Sequence, residues 1–155
     1  RVGIVGCSAG GHLAASAATM LPEEVRPAFA VLIYPVITAE PGKCHKGSFD
    51  HLLGTDRTAG DEAQWSLQNR VTASTPPALL LAADDDHSVP PVNSVLFYAA
   101  LKRHGIPASL RIYPSGGHGG ALDPAHIYRA QWRADIVDWL AMLAHENQKP
   151  TSKPR

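Results

Sequence analysis

Phe29 to Tyr34 is an unbroken apolar run, FAVLIY, closed by Pro35. A strand with one wet face alternates apolar and polar side chains. A strand apolar on successive positions is covered on both faces, as in a parallel sheet layered between helices. The rest of the chain fits that plan. Val2 to Val5 reads as a short buried strand, and residues 9–20, rich in Ala, read as a closely packed helix that Pro22 ends. Residues 38–57 read as loop, and residues 60–70 as a short helix. Thr75-Pro76-Pro77 introduces a third strand at 78–83. Val92, Val95, Leu96 and Ala99 then recur at helical spacing, and Gly105 ends that helix. A fourth strand occupies 107–113 and a Gly-rich loop 114–120. Ile127, Ala130, Ala134, Val137 and Leu140 mark a final helix running to about residue 146. Strands alternating with helices predict an α/β fold with a parallel sheet of about four strands. The expected division is one domain over 1–147 and a polar, disordered tail over 148–155.

Charge narrows the partners. The 155 residues carry 14 basic and 14 acidic side chains, with no block of either sign, so neither nucleic acid nor an anionic membrane is an expected partner. The apolar runs are far shorter than a bilayer span. Cys7 and Cys44 read as free thiols.

The apolar run Val2–Val5 leads directly into Gly6-Cys7-Ser8-Ala9-Gly10, and a helical pattern follows. A G-x-S-x-G pentapeptide between strand and helix is the setting of a nucleophile elbow, which lifts the serine hydroxyl clear of the sheet. Gly6 and Gly10 are expected to be glycine because the tight turn crowds larger side chains. A serine hydroxyl needs a histidine base, and the imidazole needs a carboxylate to hold its tautomer and steady its charged form. Asp84, Asp85 and Asp86 follow the third strand, and His118 follows the fourth. Functional residues of open parallel sheets gather beyond the carboxyl ends of the strands. Ser8, one of the three aspartates and His118 therefore form the candidate triad. The Ala9 N–H is the candidate oxyanion donor.

Specific segments carry a family resemblance: VGCSAGGHLA at 5–14, VLIYPV at 31–36, HKGS at 45–48, LLG at 52–54, TPP at 75–77, DDHSVP at 85–90, NSVLFY at 93–98 and YPSGGHG at 113–119. With these the chain resembles the C-terminal portion of an α/β-hydrolase of the acetylxylan-esterase-like carbohydrate esterase and lipase group. The resemblance implies that Asp86, four residues before Pro90, is the triad acid, with Asp85 as the alternative. It implies a serine esterase that needs no cofactor and acts on short acyl esters, including acetyl groups on polysaccharide. It also implies earlier strands and a further oxyanion loop, so the chain, which starts at Arg1 within an apparent strand, is expected to be a fragment. Two competing readings are a catalytically impaired fragment and a serine peptidase of the prolyl-oligopeptidase type.

Blander roles stand beside these. Ser8 could serve only as a helix N-cap, and the aspartates only as a solvated turn. A metal held by Asp84–Asp86 with His87 is not expected, because adjacent turn carboxylates do not converge on one ion. His12 is expected to be a packing or hydrogen-bonded histidine. Cys44 and His45 are assigned to a loop capping the substrate pocket. Trp65 either lines that pocket or anchors the short helix, and Trp132 and Trp139 pack. Cys7 is not the nucleophile. Gly3 and Gly6 do not complete a dinucleotide fingerprint.

Overall fold

The computed structural model describes residues 2–120 and 123–146; the tail expected over 148–155 lies outside them. Strands β1 (Ile4–Cys7), β2 (Ala30–Ile33), β3 (Ala78–Ala83) and β4 (Ala108–Tyr113) form one four-stranded sheet in the order β1-β2-β3-β4. Every pairing is parallel, with Leu32 opposite Leu80 and Leu80 opposite Leu110. Helix α1 (Ala9–Met20) follows β1, and α4 (Val92–Arg103) follows β3. They cover one face, while α5 (Arg129–Glu146), after β4, covers the other.

The continuous apolar runs are explained by this layering. Ala30 and Leu32 pack with Ala14, Ala15 and Ala18 of α1 and with Phe97 and Leu101 of α4. Their neighbours Val31 and Ile33 point the other way, into a cluster with Leu79, Leu81, Trp132, Trp139 and Leu143. Every residue of β2 and β3 is buried, so no position of either strand faces water. Each fully buried aliphatic side chain contributes about 1.5–3 kcal/mol, so these two strands anchor the sheet. The alanines of α1 let it lie close against the sheet. Gly11 makes the approach closer still, since a Cβ there would press on Pro35 at 2.8 Å.

Strands β1 and β4 begin later than expected, at Ile4 and Ala108, and β1 extends into the elbow as far as Cys7, paired with Ile33. The 38–57 segment, expected to be loop throughout, contains α2 (Lys46–Leu53). Gly47 masks its helical signal. What starts it is the His45 imidazole, which accepts the Ser48 N–H at 3.2 Å. Lys46 and Asp50 then pair one turn apart at 2.6 Å, and Phe49 anchors the helix among Val36, Ala39 and Val89. The helix expected over 60–70 is two pieces, α3 (Ala59–Trp65) and a 3₁₀ turn at Leu67–Asn69.

The apolar stripes expected on the last two long helices are mostly out of phase, although Leu140 does pack against the core. Val95 is 39% exposed, whereas Asn93, Ser94, Phe97, Ala100 and Leu101 are buried. Asn93 goes inside because its side chain satisfies loop backbone. Its Oδ1 accepts the N–H groups of Ile37 and Thr38, both at 3.0 Å, and its Nδ2 donates to the carbonyls of Lys43 and Pro90. On the last helix Val137 is 63% exposed, as is Ile127 (70%) just before it. The buried face of α5 is instead Trp132, Trp139 and Leu143, since two indoles contribute more buried area than the aliphatic stripe.

Candidate active site

The carboxyl ends of β1, β3 and β4 deliver three loops to one place. Ser8 follows β1 with φ 55° and ψ −122°. Positive φ is strained for a residue with a Cβ and persists only where the surroundings impose it. Here the Ser8 N–H donates to the Ile33 carbonyl at 2.9 Å, and its own carbonyl accepts from His12 and Val36. Ser8 occupies the N-cap position of α1, yet its side chain makes no capping bond. Its hydroxyl is directed at His118 instead.

The two glycines of the pentapeptide differ. A Cβ at Gly6 would overlap the Gly10 backbone and the Ala14 methyl. A Cβ at Gly10 would meet no heavy atom within 4 Å, so the crowding expected there is absent. The reason is that Gly6 lies beneath α1, whereas Gly10 is on the exposed side of its first turn.

His118 Nε2 lies 2.8 Å from Ser8 Oγ, and its Nδ1 lies 2.7 Å from Asp86 Oδ2. A carboxylate at Nδ1 fixes the proton there, leaving Nε2 free to accept from the serine hydroxyl. The Asp86 side chain has no exposed surface. Its other oxygen accepts the N–H groups of Ser88 and Val89, both at 2.9 Å. Those bonds offset the cost of burying a carboxylate and fix the direction in which Oδ2 points. The Tyr34 ring, itself at φ 38°, lies 4.7 Å from the imidazole and limits its swing.

The neighbouring aspartates do other things. Asp84 is exposed, and its N–H donates to the Tyr113 carbonyl at 2.7 Å. Asp85, the alternative acid, turns to the histidine loop. Its carboxylate accepts the N–H of Gly117 at 2.8 Å and that of Gly116 at 3.2 Å. The Gly117 bond chiefly holds this carboxyl below the usual range, with the Gly116 bond adding to it. On the loop's other side, Cβ atoms at Gly116 and Gly120 would overlap the His126 imidazole. The roles of Asp85, Tyr34 and His126 have no motif in the sequence, since each is a contact made only after the strands assemble.

Ala9 is the first residue of α1, where N–H groups have no carbonyl one turn back and the helix dipole favours negative charge. Beside it opens an apolar groove of about 620 Å³, lined by Leu13, Phe49, Leu52 and Trp65 among others. Trp65 thus both lines the groove and packs onto the Phe49 cluster. His45 caps the helix that supplies one wall. His12 is buried, and its Nδ1 hydrogen-bonds to the Val36 carbonyl at 3.1 Å. Burial pushes its pKa down, the Val36 bond partly opposing. Cys7 and Cys44 are free, and burial pushes the Cys7 thiol up, opposite to what a nucleophilic thiol requires.

Residues 1–146 match the sequence model of the prolyl oligopeptidase family. The chain is 43% identical over 146 residues to an acetylxylan esterase of Xylanibacter ruminicola, a match covering 92% of this chain and 30% of that protein. It is 36% identical over 128 residues to endo-1,4-beta-xylanase B of Butyrivibrio fibrisolvens, covering 75% of this chain and 20% of the other. Among solved structures, the acetyl ester-xyloside bifunctional hydrolase of Caldicellulosiruptor lactoaceticus superposes with a TM-score of 0.85 at 36% identity. That alignment covers 93% of this chain and 57% of the other. The chain therefore spans about a third of that esterase and little more than half of that solved hydrolase.

Proposed function

The chain belongs to the prolyl oligopeptidase family of α/β-hydrolases, and from that premise we propose that it is a serine esterase cleaving short acyl esters, acetyl groups on xylan-type polysaccharide among them. The observation that carries the reading is the hydrogen-bonded chain from Ser8 through His118 to Asp86. The substrate class is supported by the acetylxylan esterase and the acetyl ester-xyloside hydrolase, which this chain resembles over nine-tenths of its own length.

The mechanism follows from the donor and acceptor roles. Ser8 Oγ attacks the ester carbonyl carbon as its proton passes to His118 Nε2. The imidazolium is stabilised by Asp86, which keeps its charge. The carbonyl oxygen becomes an oxyanion beside the Ala9 N–H, and one donor of this kind contributes about 2.7–4 kcal/mol to the transition state. Collapse of the intermediate breaks the ester C–O bond, and the leaving alcohol takes the proton from Nε2. Water, deprotonated by the same nitrogen, then attacks the acyl-serine. A second collapse restores Ser8 and releases the carboxylic acid.

The test is hydrolysis of p-nitrophenyl acetate and of acetylated xylan by the wild-type chain and by Ser8→Ala. Acetate release by wild type and none above background from the variant supports the reading. Hydrolysis by Ser8→Ala at the wild-type rate overturns it. A peptide p-nitroanilide run alongside separates ester from amide chemistry.

A further inference from the structure

Asp85 is an exposed carboxylate next to Asp86, and it is not among the residues lining the groove. Its hydrogen-bond partners are the amides of Gly116 and Gly117, two residues and one residue before the histidine. Those residues have φ values of 132° and 58°, which L side chains adopt only with strain. A loop of such residues has many accessible conformations, so its own backbone does not dictate where His118 sits. Among the described residues, two contacts to the loop's glycines help supply that restraint. The His126 imidazole fills the space over Gly116 and Gly120, and the Asp85 carboxylate ties down two consecutive amides.

The position of the anchor matters. Asp86 is held by the turn amides of Ser88 and Val89. Asp85 precedes it directly, so both carboxylates project from one turn. One receives the imidazole and the other receives the backbone that carries the imidazole. Any shift of this turn therefore moves the acid and the histidine loop together, preserving the Nδ1–Oδ2 distance.

We propose that Asp85 is a positioning residue for the esterase: its bonds to the Gly116 and Gly117 amides place His118 so that one imidazole spans Ser8 and Asp86. This rests on the serine-esterase reading above. Asp85 takes no proton in the reaction. It raises the fraction of molecules in which Nε2 is within reach of the serine hydroxyl, so its loss lowers kcat and leaves KM nearly unchanged.

The test compares Asp85→Ala, Asp85→Asn and Asp85→Glu with wild type and Ser8→Ala, using p-nitrophenyl acetate across the pH range and thermal melting of each protein. Asp85→Ala is expected to lower the high-pH plateau of kcat by about 10- to 100-fold, the scale of a misplaced catalytic group, with KM within twofold. Asp85→Asn keeps one acceptor oxygen and is expected to fall less. Asp85→Glu restores the carboxylate and recovers part of the loss. If Asp85→Ala fails to fold, the near-isosteric Asp85→Asn carries the comparison. A purely structural role would lower the melting temperature and spare kcat. A through-space charge effect on His118 would move the acidic limb and spare the plateau. Either outcome, with Ser8→Ala inactive, overturns the positioning role and leaves the esterase standing. Hydrolysis by Ser8→Ala at the wild-type rate overturns both.

Discussion

His118 Nε2 sits 2.8 Å from Ser8 Oγ across 110 positions of chain. The sheet makes this possible. Parallel pairing aligns the carboxyl ends of β1 and β4 with two strands between them, and the histidine loop crosses the intervening ends to reach the serine. Asp86, at the end of β3, lies under that crossing. The imidazole is thus bounded by a buried carboxylate, a tyrosine ring and the strained serine turn, and each comes from a different strand end.

Replacing Asp86 with Asn should retain the shape of the site and lose its chemistry. An amide at this position favours the wrong imidazole tautomer, and kcat for ester hydrolysis should fall about 10⁴-fold. Steady-state kinetics with p-nitrophenyl acetate checks this. A fall smaller than that for Asp85→Asn would reverse the roles assigned to the two aspartates.

The pentapeptide glycines should respond in opposite directions. Gly6→Ala forces a methyl into the Gly10 backbone and Ala14, an overpacking that should cost about 1–3 kcal/mol. Gly10→Ala meets open space within α1 and should stabilise by about 0.4–1 kcal/mol, because alanine has less backbone freedom to lose on folding. Urea melts of the two variants provide the comparison.

His12 should make the fold sensitive to mild acid. Burial lowers its folded pKa below the ordinary 6.5. As pH falls through 6.5, the unfolded chain takes up a proton that the folded chain resists, so stability drops. The loss continues until pH passes below the folded value, and above 6.5 this histidine adds no pH dependence. Denaturation midpoints measured from pH 8 down to pH 5 should decline in wild type and decline less in His12→Gln.

The packing of His126 on the histidine loop predicts a rescue. Gly120→Ala should disturb the loop and lower activity at least tenfold, since its Cβ would overlap the His126 ring. Shortening the ring in a Gly120→Ala, His126→Ala double variant should recover part of that loss relative to the single Gly120 variant. Purely additive losses in the double-mutant cycle would mean that the two residues do not interact.

The sheet was legible because burial on two faces leaves a local mark. FAVLIY and ALLLAA are continuous apolar runs, and β2 and β3 fall within them. α2 was not legible, because its start depends on an imidazole cap and its retention on Phe49 reaching Val36, Ala39 and Val89. The buried faces of α4 and α5 depart from the hydropathy periodicity for a related reason. Periodicity ranks positions by hydropathy, but Asn93 was drawn inside by loop amides, and the indoles of Trp132 and Trp139 outweighed the smaller aliphatic side chains.

Local residue patterns suffice for the strand-helix alternation, the serine at a strand-to-helix turn, and the order in which serine, aspartate and histidine follow β1, β3 and β4. These depend on residue identity and on signals within a few positions. Residue chemistry does not separate the adjacent aspartates: the resemblance favours Asp86 by its spacing to Pro90, and the assembled fold brings that carboxylate to the imidazole. Asp85 and Asp86 are chemically identical. They differ because the turn amides of Ser88 and Val89 aim Asp86 inward, while Asp85 is left beside a glycine loop from 31 positions further along. The DDHSVP segment points to Asp86, but the physical reason, the direction each carboxylate takes in space, is a property of the assembled sheet.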